Sequence, residues 1–136
     1  MSSIVIALPK IEDARKIRSV LERHGFAVAS VCSTASNALS SASELGSGVL
    51  ICGHRLPDMN YLDLAECMPR DFEMLLLASA RVICEVPPSI LLVEMPMKAS
   101  DLVNTVSMIL MQQERKRRRE KKKPKLRTEK EQNYIS

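Results

Sequence analysis

The chain has 136 residues, room for one domain and an appendage, and 46% of them are apolar, as in a fold with its own core. With no Trp, two Phe and two Tyr, that core has to be aliphatic, with Met as filler. Charge is split: residues 1–113 carry nine Lys/Arg against twelve Asp/Glu, residues 114–136 eleven against four, so a mildly acidic body bears a strongly basic tail. No apolar run reaches the length of a membrane span, and the N-terminus lacks a basic-then-apolar leader, which points to a cytoplasmic chain with no membrane partner. The four cysteines (Cys32, Cys52, Cys67, Cys84) form no CxxC. The first three fall inside predicted elements and are expected to be buried small hydrophobes, not a disulfide framework.

Ile4-Val5-Ile6-Ala7-Leu8 predicts a buried strand, ended by Pro9. Glu12 and Asp13 favour the positive end of a helix running to about His24, with Ile11, Ala14, Ile17, Val20 and Leu21 on one face and Gly25 as its cap. Ala27–Cys32 is the second strand. Ser33 or Thr34 can cap a helix through Leu45, closed by Gly46. Val49-Leu50-Ile51-Cys52, bounded by Gly48 and Gly53, predicts a strand covered on both faces. A helix from about Asn60 to Met68 follows a polar turn.

Pro69-Arg70-Asp71 turns into a fourth strand, Met74–Ser79, and Ser89 leads into a fifth, Ile90–Met95. The segment Ala80–Pro88 between them leaves room for no more than a short helix before Pro87-Pro88. Ser100 can cap a long last helix whose apolar face fades near Met111 while its charge pattern runs to Lys123. Pro124 is a break, and Lys125–Ser136 is polar enough to be disordered. Strands alternating with helices in this way imply a parallel, doubly wound sheet with right-handed crossovers. In open sheets of that kind the loop after a central strand is where ligands sit, which singles out His54–Asn60.

The central stretch GVLICGHRLPDM, with the order and spacing of the strands, resembles the receiver domain of response regulators (CheY-like) over about residues 1–112. The resemblance implies a flavodoxin-like (βα)5 fold, here with an extended C-terminal helix. In that family the third strand ends in a phosphate-accepting Asp, with a Pro at the fourth position after it. Pro57 is in place, and the acceptor falls on Gly53. The family's metal-binding acidic pair falls on Leu8 and Pro9, its switch hydroxyl on Ser79, and its Lys on Met95, ahead of the expected Pro96. Hard cations need oxygen ligands, so the resemblance implies a degenerate receiver that holds no magnesium, uses no cofactor and accepts no phosphoryl group. Glu12, Asp13 and Asp58 lie nearby in sequence but read as first-turn and turn residues.

Residues 113–136 form a basic extension: Arg115, Lys116, Arg117, Arg118, Arg119, Lys121, Lys122 and Lys123 are nearly all its first part contains. Two readings stand side by side. One is a solvated helix end. The other is a phosphate-backbone contact with RNA, without aromatic residues to stack bases. The approach into KPKLRTEKEQ also resembles the junction that leads to the RNA-binding module of ANTAR antiterminators. On the last helix, Leu102, Val103, Val106, Ile109 and Leu110 exceed what one sheet face needs and suggest a homodimer surface. Cys52-Gly53-His54 offers two possible metal ligands without supporting ones, His24 and His54 read as plain helix-end and loop residues, and no catalytic set stands out. The first functional reading is a non-catalytic pseudo-receiver acting through protein contacts. The second is an RNA-binding antitermination regulator of the ANTAR type.

Overall fold

The computed structural model describes residues 3–79, 86, 90–95 and 98–116. Five parallel strands form one sheet in the order β2-β1-β3-β4-β5, with β1 at Ser3–Ala7, β2 at Val28–Cys32, β3 at Ser47–Gly53, β4 at Asp71–Ser79 and β5 at Leu91–Met95. Helices α1 (Ile11–Arg23), α2 (Ala35–Leu45) and α3 (Tyr61–Cys67) connect them, and a last helix, α4, covers residues 99–116. This is the parallel, doubly wound sheet that the alternating pattern predicts, with the flavodoxin-like strand order that the resemblance implies. The strand order reverses between β1 and β3, the point at which such sheets open a ligand crevice.

The core lies in two layers. Ile4, Ile6, Val49, Ile51, Leu75, Leu77 and Val93 meet α1 and α4 on one face, while Val5, Ala7, Leu50, Cys52, Leu76 and Ala78 meet α2 and α3 on the other. The two sets alternate along each strand, as a sheet covered on both sides requires. On α2 the buried residues are Ala35, Ala38 and Ala42, which let that helix sit close to the strands. Full burial of one Leu or Ile side chain contributes about 1.5–3 kcal/mol, so the central strands dominate the stability of the fold.

Local signals set the helix ends. Past α1, Phe26 N–H reaches Leu21 O and Gly25 N–H reaches Glu22 O, a Schellman closure with Gly25 at φ +89°. Thr34 is the cap of α2, its hydroxyl accepting from Asn37 N–H at 3.2 Å, and Asn60 caps α3 from Asp63 N–H at 2.9 Å.

Several expectations need correction. β3 and β4 start earlier than their apolar runs, because Ser47 and Asp71 pair directly across the two strands. Gly48 therefore lies inside β3 rather than at its border, while Gly53 is its last residue. Gly48 has φ +151°, and a Cβ there would collide with Ser3 O, so close approach of β1 demands glycine. Cys32 and Cys52 are buried, but Cys67, at the end of α3, is exposed. Ser100 is not the cap of α4: Asp101 and Leu102 N–H groups both return to Lys98 O.

The proposed dimer face is also revised. Leu102, Val106 and Ile109 are at most 1% exposed and pack into the chain's own core, while Val103 and Leu110 are half-buried beside them. The helix continues to Lys116 among the described residues. Apart from Val86, the segment Ala80–Pro88 lies outside them, as do Pro96, Arg117, Arg118, Arg119, Lys121, Lys122, Lys123 and the remaining tail.

Candidate functional site

The carboxyl ends of β1 and β3 flank the switch point of the sheet. Ala7 and Cys52 are paired there, so Leu8 and Gly53 each stand one residue beyond. Leu8 is held by its own N–H, which donates to Cys32 O at 3.1 Å, and its side chain is only 8% exposed. A Cβ built on Gly53 would lie 3.1 Å from Leu8 Cδ2 and 3.6 Å from Pro9 Cδ. The crevice over β3 is thus filled by hydrocarbon from the residues after β1. Ser79 and Met95 end β4 and β5 and pair with each other. Ser79 is exposed. The five positions singled out by sequence therefore gather at one end of the sheet, and together they present one hydroxyl and no carboxylate or cation.

The loop after β3 is closed on itself. Arg55 and Asn60 form an antiparallel bridge, and Leu56 N–H donates to Met59 O at 3.2 Å. Leu56 points inward and is 4% exposed, and the His54 and Tyr61 rings meet at 5.2 Å. Pro57-Asp58 forms the tip, where the fixed φ of proline suits a tight reversal.

Asp58 is more than a turn residue. Its Oδ1 accepts Ala35 N–H at 2.8 Å, and its Oδ2 accepts Ser36 N–H at 3.0 Å and the Ser36 hydroxyl at 2.9 Å. With Thr34 serving Asn37, three successive unpaired N–H groups of the first turn of α2 are satisfied. These two backbone bonds, with the help of the Ser36 hydroxyl, hold the Asp58 carboxyl below its ordinary pKa of 3.8. The clamp links segments 22 and 23 positions apart. Sequence reasoning missed it, since no local pattern announces so distant a partner. Glu12 and Asp13 remain exposed in the first turn of α1.

Cys52 and His54 do not form a ligand pair. Cys52 belongs to the core layer under α2, and burial pushes its thiol up to about 12. Among the described residues no three His, Cys, Asp or Glu side chains gather as metal ligands.

Gln113 is the second residue that sequence missed. Its side-chain amide donates to Gly48 O at 2.7 Å and reaches Asp71 O at 3.4 Å, fastening the end of α4 to the starts of β3 and β4. The spacing 102, 106, 109, 113 along one helix face is the only signal that could have found it. Beside it a cavity of about 330 Å³ is lined by Leu45, Gly46, Ser47, Arg70, Asp71, Glu73, Gln113 and Lys116, at the end of the sheet away from the switch point. Of the tail residues expected to meet nucleic acid, Arg115 and Lys116 are exposed on the last turn of α4. Among the described residues no helix is long and apolar enough to cross a membrane.

No protein-family model and no curated protein matches the sequence. Solved structures do match the fold. The signal receiver domain of an HD domain-containing protein from Pseudomonas fluorescens Pf-5 superposes with a TM-score of 0.75 at 16% identity, over 87% of this chain and 93% of that one. A response regulator receiver domain from Clostridium thermocellum gives 0.71 at 16% identity, over 84% and 98%. A CheY-like receiver domain from Methanospirillum hungatei JF-1 gives 0.70 at 12% identity, over 84% and 98%. The chain has the fold of a response-regulator receiver domain.

Proposed function

We propose that this chain is a phosphorylation-independent receiver, a regulatory module of the cytoplasm that works by protein contact and not by catalysis. Residues 1–112 form the receiver unit, and 113–136 a basic extension. The observation that carries the reading is Leu8 packed over Gly53 at the switch point. Phosphoryl transfer to a receiver needs a nucleophilic carboxylate there, a divalent metal on oxygen ligands, and a cation to offset the charge on the moving group. Leu8, Pro9, Gly53 and Met95 supply none of these, and Ser79 offers only a hydroxyl. The closed loop 54–60 adds to this, because it is already fastened to α2 through Asp58. Incubation with acetyl phosphate and magnesium should leave the intact mass unchanged. A stoichiometric gain of one phosphoryl group would overturn the proposal.

The second reading, an RNA-binding regulator, is favoured by Arg115 and Lys116, which stand exposed where the basic run begins. Its ANTAR form rests on the tail sequence. If about five cations meet phosphates, log affinity should fall with log salt at a slope of roughly −4 to −5 on duplex, and less steeply on single strands. Binding should ignore sequence, since phosphate contacts carry none. Replacing Arg115, Lys116, Arg117, Arg118, Arg119, Lys121, Lys122 and Lys123 by Gln in the full chain should abolish it. Equal binding by both chains, or none by the native chain at low salt, removes this reading.

A further inference from the structure

We infer that the cavity at the foot of the sheet binds a small zwitterion, a free α-amino acid with a short aliphatic side chain. Strand alternation builds the site. Val49 and Ile51 of β3, and Leu75 and Leu77 of β4, face the layer of α1 and α4. Ser47, Asp71 and Glu73 stand at the same alternation, earlier in those two strands, and open on the same side. On α4, Gln113 and Lys116 continue the inward face one and two turns past Ile109. The apolar layer between sheet and α4 thus ends in a polar cup. Its volume of about 330 Å³ is at the small end of ligand pockets, about 300–1,000 Å³, which suits a molecule the size of an amino acid.

The cup offers both signs of charge. Asp71 and Glu73 bring two carboxylates from β4, while Arg70, on the turn before that strand, and Lys116, on the last described turn of α4, bring two cations. All four are exposed, and among the described residues the ion pair formed is Arg18 with Glu22, remote from this cavity. Gln113 supplies an independent observation. Its amide nitrogen is engaged by Gly48 O at 2.7 Å and Asp71 O at 3.4 Å, which fixes the way the amide faces. Its Oε1 is buried and accepts no hydrogen bond among the described residues, although buried acceptors are nearly always paired. An ammonium held by Asp71 and Glu73 carries three N–H donors, one for each carboxylate and one for Gln113 Oε1. The ligand's carboxylate would meet Arg70 and Lys116 in charge-assisted hydrogen bonds. Leu45 is the one apolar side chain among the described residues lining the cavity, and it is 37% exposed, so an aliphatic ligand side chain would cover it. A divalent cation suits the space less, because two protein cations line it too.

The cavity and the switch point lie at opposite ends of the sheet, so this inference stands or falls apart from the reading of Leu8 and Gly53. Calorimetric titration of the full chain with L-valine and with L-leucine should show saturable one-to-one binding at millimolar concentration or below. N-acetyl-L-valine lacks the ammonium and L-valinamide lacks the carboxylate, and each should bind at least about tenfold more weakly than L-valine. Asp71→Asn with Glu73→Gln, and separately Arg70→Gln with Lys116→Gln, should each weaken L-valine by at least about tenfold. These side chains are exposed, so the free variants should keep the native circular dichroism. The first double variant should also lose most of its discrimination between L-valine and the N-acetyl form, an effect that a merely structural role would not produce. Absence of binding by both amino acids, equal binding of the capped forms, full affinity in either double variant, or magnesium chloride or sodium phosphate bound there as tightly as L-valine overturns the inference.

Discussion

Leu8 Cδ2 stands 3.1 Å from the point that a Cβ on Gly53 would occupy, so the two strands at the switch point meet through a methyl group and a missing side chain. Gly53→Asp would place a carboxyl against that methyl group at a buried position. It should not restore phosphoryl uptake. It should lower stability by roughly 1–3 kcal/mol, the cost of burying a polar group without a partner. Burial would raise the pKa of the new acid, so the deficit should grow as pH rises through the carboxylate range. Denaturant unfolding at acid and neutral pH checks this.

Asp58→Asn should leave the fold intact and loosen the start of α2. The amides of Ala35 and Ser36 should exchange with solvent faster, while Asn37, held by Thr34, should change little. The native carboxyl is depressed by those N–H bonds, so its contribution is complete above its ordinary pKa of 3.8 and is lost as pH falls through the depressed folded value. The native chain and the variant should therefore converge in stability only in strong acid. Hydrogen exchange across pH reads both effects.

The cysteines should separate by reactivity. Cys52, pushed up to about 12 by burial, should resist alkylation at neutral pH in the folded chain. Cys67, exposed at the end of α3, should react readily. Peptide mapping after a short iodoacetamide pulse distinguishes them, and denaturant should abolish the difference.

Gln113→Ala should cost about 1–2 kcal/mol, because Gly48 O loses a 2.7 Å hydrogen bond at a half-buried contact. Gly48→Ala should cost more, since its Cβ would collide with the Ser3 backbone at a φ of +151°. Thermal unfolding of the two variants ranks them.

What was legible in the sequence follows from how far apart the causes lie. Apolar runs closed by Gly25 and Gly46, a cap at Ser33 or Thr34, and a helix start near Asn60 are local signals, and they placed the elements. The starts of β3 and β4 were not legible: Ser47 and Asp71 are polar, and only pairing across the sheet makes them strand. Helical spacing found the apolar residues of α4 but could not say that Leu102, Val106 and Ile109 face inward. At the site, matching to the receiver pattern located Leu8 and Gly53, but not that one fills the space above the other. Asp58 and Gln113 act on partners 22 to 65 positions away, beyond any window that periodicity can read.

The Gln113 anchor also sets a direction for transmission. It pins α4 at the starts of the strands, while the loop clamped by Asp58 sits beyond their other ends. An 18-residue helix is about 27 Å long, so α4 works as a strut along the height of the sheet. Lys116, the last described residue of α4, lies three residues past this anchor. A load applied at Lys116 would arrive first at the contact between Gln113 and Gly48, at the foot of the strands, and reach the switch point only by tilting the whole strut.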